Sequence, residues 1–241
     1  MGRQWKIKHI MQATAVALIT VVAAVGLIQA PSKSSDHLAE DLQKELEVNK
    51  EILQGQKDNE PAVKVTLIGD SVMLGAVPDL MEQIPESKID AKESRQVAES
   101  VDVLKELAKG DLLGDTVVIE LGINSYFTPA TGQELIDYLG PDREIYWLTV
   151  YGRYLQDQER INQVIRGLAE SNKNLHIIAW DEVAASHMDW FYNDGIHLNG
   201  AGRLGFATLL RESLGLEPPK EAEPSEEPTA QPIGEMVVYC R

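Results

Sequence analysis

Cysteine is almost missing from this 241-residue chain, the one present being Cys240, second from the end. A disulfide framework and a cysteine-based metal site are thereby excluded, and thiol redox chemistry has no basis. Phenylalanine is scarce, at three residues, and cations are few: 22 Lys and Arg face 38 Asp and Glu, a formal net charge of −16. That balance repels nucleic acid and suits a soluble protein working on neutral or cationic molecules. No internal repeat is apparent. The length suits one domain of moderate size with tails, enough to bury a core without disulfides or metals.

What is present begins with a membrane-directing element. Arg3, Lys6 and Lys8 precede an apolar run from Ile10 to Ile28, broken only by Gln12, Thr14 and Thr20. The run is longer than the roughly 7–15 residues of a signal-peptide core, so residues 1–30 are expected to form an uncleaved single span. Positive charge ahead of the span keeps that end in the cytoplasm and sends the rest outside. The alternative is cleavage near Leu27-Ile28-Gln29-Ala30 and secretion.

Residues 31–62 open with Pro31-Ser32-Lys33-Ser34-Ser35 and continue as a charged stretch carrying Leu38, Leu42, Leu46 and Leu53. A solvated stalk helix is expected. Glu45 and Asn49 fall where a heptad seam needs apolar residues, which argues against a long coiled coil. Residues 217–241 open as a Pro- and Glu-rich segment that cannot bury apolar area, and a disordered acidic tail is expected there.

Between these lies a segment, 63–216, of alternating short apolar runs and amphipathic stretches. Strands are expected at Val63–Ile68, Thr116–Leu121, Ile145–Val150 and Leu175–Ala179, with a short fifth at Lys88-Ile89-Asp90. Helices are expected at Ser71–Ile84, Val101–Ala108, Gly132–Leu139, Asp157–Ser171 and Ala201–Leu214. Continuously apolar strands alternating with helices imply a doubly wound, three-layer α/β/α sandwich on a mainly parallel, about five-stranded sheet. In such sheets ligands sit beyond the carboxyl ends of the strands.

Three segments fall at those ends. Gly69-Asp70-Ser71 follows the first strand and opens a helix, where a serine can turn its hydroxyl and its own N–H into the crevice. Asp194-Gly195-Ile196-His197 supplies an imidazole and, three residues earlier, a carboxylate able to orient it, with Gly195 relaxing the turn. A serine hydroxyl needs such a base to act as a nucleophile at neutral pH. Gly122-Ile123-Asn124 follows another strand, and an asparagine amide there can donate to a developing oxyanion. Each motif alone reads equally well as a cap or a turn residue. Their coincidence at one sheet edge points to acyl transfer. Aromatic side chains near the same edge, Tyr126, Tyr151 and Tyr154, are candidate sugar-stacking faces, whereas Trp190 and Phe191 fit core packing. Arg95 and Arg153 are candidates for contact with an anionic acceptor. No third ligand accompanies Asp194 and His197, so neither metal nor cofactor is expected.

Gly69-Asp70-Ser71, Gly122-x-Asn124 and Asp194-x-x-His197, in this order, resemble the SGNH (GDSL-type) hydrolase superfamily over roughly Val63 to Leu214. The stretches Leu67–Met73, Asp90–Gln96, Glu120–Asn124 and Trp190–Leu198 are most similar to the extracytoplasmic domain of bacterial peptidoglycan O-acetyltransferases. The resemblance implies Ser71 as nucleophile, His197 as general base and Asp194 as its partner. It also implies an oxyanion hole built from the Ser71 N–H, Asn124 and, where the superfamily usually has glycine, Ser94. A side chain at that position is tolerated only if the backbone there permits it. Ser125 replaces the aspartate common after the asparagine, unlike the lysophospholipase branch.

The implied activity is serine-dependent O-acyl transfer, acetyl above all, to cell-wall or exported polysaccharide. Its partners are an acyl donor and a carbohydrate acceptor, with a separate multi-span membrane acyltransferase as a further partner. Hydrolysis of the same esters is the alternative, and a non-catalytic glycan-binding module the third reading.

Overall fold

The computed structural model describes residues 33–55 and 63–219. The expected membrane segment at 1–30 lies outside these, as does the expected tail beyond Pro219. Among the described residues no helix is long and apolar enough to cross a membrane. The chain divides into two units, Met1–Lys57 and Asp58–Arg241. In the first, α1 (Lys33–Gly55) is one uninterrupted helix. Its surface carries local pairs such as Lys50 with Glu47 at 2.8 Å, the ordinary i,i+3 support of a solvated helix.

The second unit is built on five parallel strands: β1 (Val65–Gly69), β2 (Ser87–Ala91), β3 (Thr116–Glu120), β4 (Glu144–Leu148) and β5 (Leu175–Ile178). They run in the order β2-β1-β3-β4-β5. Register is set by pairs such as Leu67 with Ile89 and Val118 and, further along, Val117 with Ile145. The short fifth strand expected at Lys88-Ile89-Asp90 is therefore a full member of the sheet and forms one edge of it.

Helices fill the crossovers: α2 (Ser71–Gly75), α3 (Val77–Gln83), α4 (Ser100–Lys109), α5 (Pro129–Leu139), α6 (Gln158–Ser171), α7 (Trp180–Ser186) and α8 (Gly200–Ser213). The single helix expected over Ser71–Ile84 is two helices, broken at Ala76 (φ −93°, ψ 6°). Pro78 has no N–H to give to the preceding turn and its ring crowds that turn's carbonyl, so the first helix must stop. The short α7 was not anticipated, because seven residues give too little period to separate it from the strand before it.

Strand alternation divides the core into two layers. Ile68, Val117, Ile119, Ile145 and Trp147 point to one face, where they cluster with Leu104 and Leu107 of α4, Leu135 and Leu139 of α5, and Ile161 and Ile165 of α6. Phe127 stacks on Trp147 within this layer, ring centroids 5.4 Å apart. On the other face α3 packs against α8. There Phe206 meets Trp180 edge-on at 5.2 Å. The result is the three-layer sandwich expected from the alternation of strands and helices.

Candidate active site

The strand order locates the crevice. From β1 the chain turns outward to β2, then crosses back to β3 on the opposite side, so the connections leaving β1 and β3 diverge at their carboxyl ends. Gly69-Asp70-Ser71 leaves β1 at that point and Leu121–Asn124 leaves β3.

The turn into α2 is held from both sides. Asp70 is its N-cap, Oδ1 accepting from the Val72 N–H at 3.0 Å. Gly69 permits the close entry, since a Cβ there would lie 2.4 Å from Met73 Cβ. Ser71 is the first residue of the helix, so its amide has no acceptor within the helix.

His197 reaches this turn from a locally closed loop. Phe191 and Leu198 form an antiparallel bridge, Tyr192 N–H donates to the His197 carbonyl at 2.8 Å, and Gly195 turns the chain at φ +69°. Trp190 anchors the base of the loop against α8, where a Cβ at Gly202 would stand 2.2 Å from the Trp190 carbonyl oxygen. Asp194 Oδ1 accepts from the Ile196 and His197 amides at 2.9 and 3.0 Å, while Oδ2 faces His197 Nδ1 at 2.8 Å. The other ring nitrogen, Nε2, lies 3.0 Å from Ser71 Oγ, across 126 residues of sequence. Partial burial pushes the Asp194 carboxyl up. The hydrogen bonds from the His197 ring and from the two amides outweigh that and hold it below its ordinary value.

Asn124 donates its amide to Asp70 Oδ2 at 2.9 Å and to the Arg95 carbonyl at 3.2 Å. Ser94 takes φ +59°, a left-handed backbone that usually selects glycine. Its side chain is exposed, which is why a residue larger than glycine fits. Arg95 requires a correction. Its side chain is only 5% exposed, and its guanidinium bonds the Asp90 carboxylate and the Asp90 and Gly69 carbonyls. An arginine turned inward to brace the ends of β1 and β2 cannot contact an acceptor.

Sequence reasoning missed Glu120, the last residue of β3. It is 6% exposed, Asp70 is fully buried, and Glu120 Oε2 accepts the Asp70 amide at 3.2 Å and the Met73 amide at 3.3 Å. The two buried carboxyl groups are linked through the Asp70 amide and shift each other's protonation. Burial pushes Asp70 up to about 6 despite the bond from Val72. Burial, then the Asp70 charge, pushes Glu120 well above the carboxylate range. The available signal was a lone acid closing an otherwise apolar strand.

The tyrosines separate. Arg153 donates its amide to the Gly195 carbonyl at 2.9 Å, and its guanidinium lies over the Tyr154 ring, 5.6 Å from the centroid. Tyr154, 67% exposed, thus stands on the rim beside the histidine loop. Tyr151 packs on Phe191, centroids 5.3 Å apart, and its hydroxyl donates to Met188 Sδ. Tyr126 is not brought to the other site residues. It sits under Arg160, 3.6 Å from the ring centroid, in a groove of about 630 Å³ between α5 and α6 that none of Ser71, Asp194 and His197 lines. Among the described residues no group of three acids, histidines or cysteines is placed to hold a metal ion.

No family model matches the chain. Over 150 residues, 61% of its length, it is 36% identical to O-acetyltransferase OatA of Staphylococcus aureus, and it spans about a quarter of that protein, 24%. The catalytic domain of the Streptococcus pneumoniae peptidoglycan O-acetyltransferase A, solved with a methylsulfonyl adduct, superposes with a TM-score of 0.56 at 23% identity. That match covers 65% of this chain and 94% of the other. A lipolytic G-D-S-L family protein of Veillonella parvula gives 0.53 at 14% identity, covering 63% of this chain and 98% of the other. The chain therefore has the SGNH (GDSL-type) hydrolase fold, and an O-acetyltransferase is its relative in sequence.

Proposed function

We propose that residues 63–216 form a serine acyl-enzyme domain that transfers an O-acyl group, acetyl by its relatives, to cell-wall or exported polysaccharide outside the membrane. The observation that carries this reading is the file of three groups, with Asp194 Oδ2 at 2.8 Å from His197 Nδ1 and His197 Nε2 at 3.0 Å from Ser71 Oγ. Ser71 Oγ attacks the acyl carbonyl while its proton passes to His197 Nε2, and the imidazolium is stabilised by the ionised Asp194. The tetrahedral oxyanion is held by the Ser71 amide, the Asn124 side chain and the Ser94 amide. In this step one Asn124 N–H exchanges the Arg95 carbonyl for the oxyanion as its acceptor, its hydrogen staying on the amide nitrogen. Collapse leaves acyl-Ser71, and His197 returns the proton to the departing oxygen. A sugar hydroxyl then repeats the attack in reverse.

The relative's name supplies the acetyl group, and the name of the similar solved domain supplies peptidoglycan as the acceptor. Tyr154, with Arg153 against its face, and Tyr151 are the side chains we assign to acceptor contact. Residues 1–30 are assigned as anchor and 31–62 as stalk, which places the domain outside the membrane.

One observation favours hydrolysis as the second reading. Asp194 is 40% and His197 23% exposed, so water reaches the same base that a sugar hydroxyl would use. Intact mass spectrometry of the full chain after a brief pulse of activated acetyl ester tests both. Parent protein is expected to carry one acetyl group that is absent in Ser71→Ala and that moves to an added oligosaccharide. Acetate as sole product with every acceptor offered would leave an esterase, and an adduct that persists in Ser71→Ala would overturn the serine assignment.

A further inference from the structure

Beneath the turn that presents Ser71, two buried carboxyl groups are linked through the Asp70 amide, with no cation bonded to either among the described residues. Asp70 Oδ1 holds the Val72 amide and Oδ2 holds Asn124 Nδ2. Glu120 Oε2 holds the Asp70 and Met73 amides. All four hydrogen bonds are accepted by carboxyl oxygens and both side chains are buried, so burial and mutual repulsion favour keeping a proton on the pair. Neighbouring buried carboxylates cannot both ionise without large cost, as in other paired acids.

We propose that Glu120 is a positioning residue, which carries a proton beside Asp70 and, by holding the Asp70 and Met73 amides, locks together the Ser71 turn and the carboxylate on which Asn124 rests. It touches no reacting atom. Through its two accepted amides it holds the first turn of α2, and because one of them is the Asp70 amide it also fixes the residue on whose carboxylate Asn124 rests. Losing that proton sets two buried negative charges against each other, and the least constrained contact, Asp70 with Asn124, is the one that gives. The charged groups acting on the pair are the Arg95 guanidinium from the loop after β2 and, from across the crevice, His197, both of which act on Asp70. The directions of the shifts agree, Glu120 being the carboxyl held neutral and Asp70 the first to ionise. In a pair coupled this closely the apparent titration belongs to both groups.

The inference rests on Ser71 as nucleophile, and its test separates the two. Fluorophosphonate labelling and activated-ester turnover would be followed from pH 5 to 10 in parent, Ser71→Ala, Glu120→Gln and Glu120→Ala full-length protein, with folding checked by circular dichroism. Labelling of parent but not Ser71→Ala establishes the nucleophile, and equal labelling of both would remove that reading whatever Glu120 does. Glutamine keeps an acceptor oxygen and a permanent neutral donor. Parent activity is expected to decline at alkaline pH, and Glu120→Gln to keep kcat within about threefold of parent near pH 7 and to lose that decline. Glu120→Ala should lower kcat at least tenfold with KM little changed. A folded Glu120→Ala within twofold of parent, or identical alkaline limbs in parent and Glu120→Gln, would overturn the proposal. Should the alanine variant not fold, the glutamine pH profile decides alone.

Discussion

The two segments that meet at Ser71 Oγ are held in opposite ways. The Gly69–Ser71 turn is buried, and the groups that hold it come from β3 and from the loop after it, some 50 residues away in sequence. The Asp194–His197 loop is half-exposed and is held by its own amides, within three residues of the carboxylate that accepts them. The two aspartates record the difference, Asp70 being pushed up by burial and Asp194 held down by its donors. A nucleophile must be placed against a fixed oxyanion site, which calls for rigid support. A base that shuttles a proton needs only a steady partner on its far nitrogen.

If the comparison holds, the largest effect comes from removing the imidazole. His197→Ala is expected to slow acylation of Ser71 by about a thousandfold or more with little change in melting temperature, because the loop does not depend on that ring. Stopped-flow labelling beside a thermal melt checks both halves.

Next in size is a pH effect at Asp70. Its folded pKa of about 6 lies above the ordinary value, so its favourable contribution is complete below about pH 4 and is lost as pH rises through about 6. Asp70→Asn does not titrate. The stability of parent relative to this variant should therefore fall by about 2 kcal/mol between pH 4 and 7 in urea titrations, Glu120 sharing in the titration. A flat difference would mean that the turn is not desolvated as described.

Asp194→Asn should reverse that sign at a smaller scale. Asp194 lies below its ordinary value, so its contribution is present above about pH 4 and lost as the medium becomes more acid. Because the carboxyl is 40% exposed, the stability difference should stay under about 1 kcal/mol. Acylation should slow by at least about a hundredfold, since the imidazole loses the partner that selects its tautomer.

Gly202→Ala tests how the histidine loop is anchored. Its Cβ would drive into the Trp190 carbonyl, which is backbone and cannot swing aside, so a loss of about 1–3 kcal/mol in unfolding free energy is expected. Hydrogen exchange should show the loss of protection concentrated at Trp190–His197. The smallest effect is assigned to Tyr154→Ala, a few-fold rise in KM for an oligosaccharide acceptor with no change in the rate of acyl-enzyme formation. A change in that rate instead would place the ring at the donor step.

Much of this was legible beforehand. The alternation of apolar strands and amphipathic helices marked the sandwich, and the serine, asparagine and histidine segments stood out because each follows a strand or precedes a helix. Gly195 was readable as a turn glycine and takes positive φ. Ser94 was readable as the position where glycine is expected, and its left-handed backbone agrees. Arg95 and Tyr126 were misread for one reason: an exposed-looking polar residue in a loop has no sequence mark saying which way its side chain turns. Arg95 turns inward to Asp90 and Tyr126 turns to the α5–α6 groove.

From sequence alone came the period of each element, the caps and turns, and the order of the reactive side chains along the chain, all of them consequences of interactions within a few residues. Tertiary structure alone decided that His197 Nε2 stands 3.0 Å from Ser71 Oγ, that Asp70 and Glu120 share a dry space, and that Arg95 is spent on bracing strands. Burial and the charge states it imposes arise from contacts between segments distant in sequence, and no local pattern carries them.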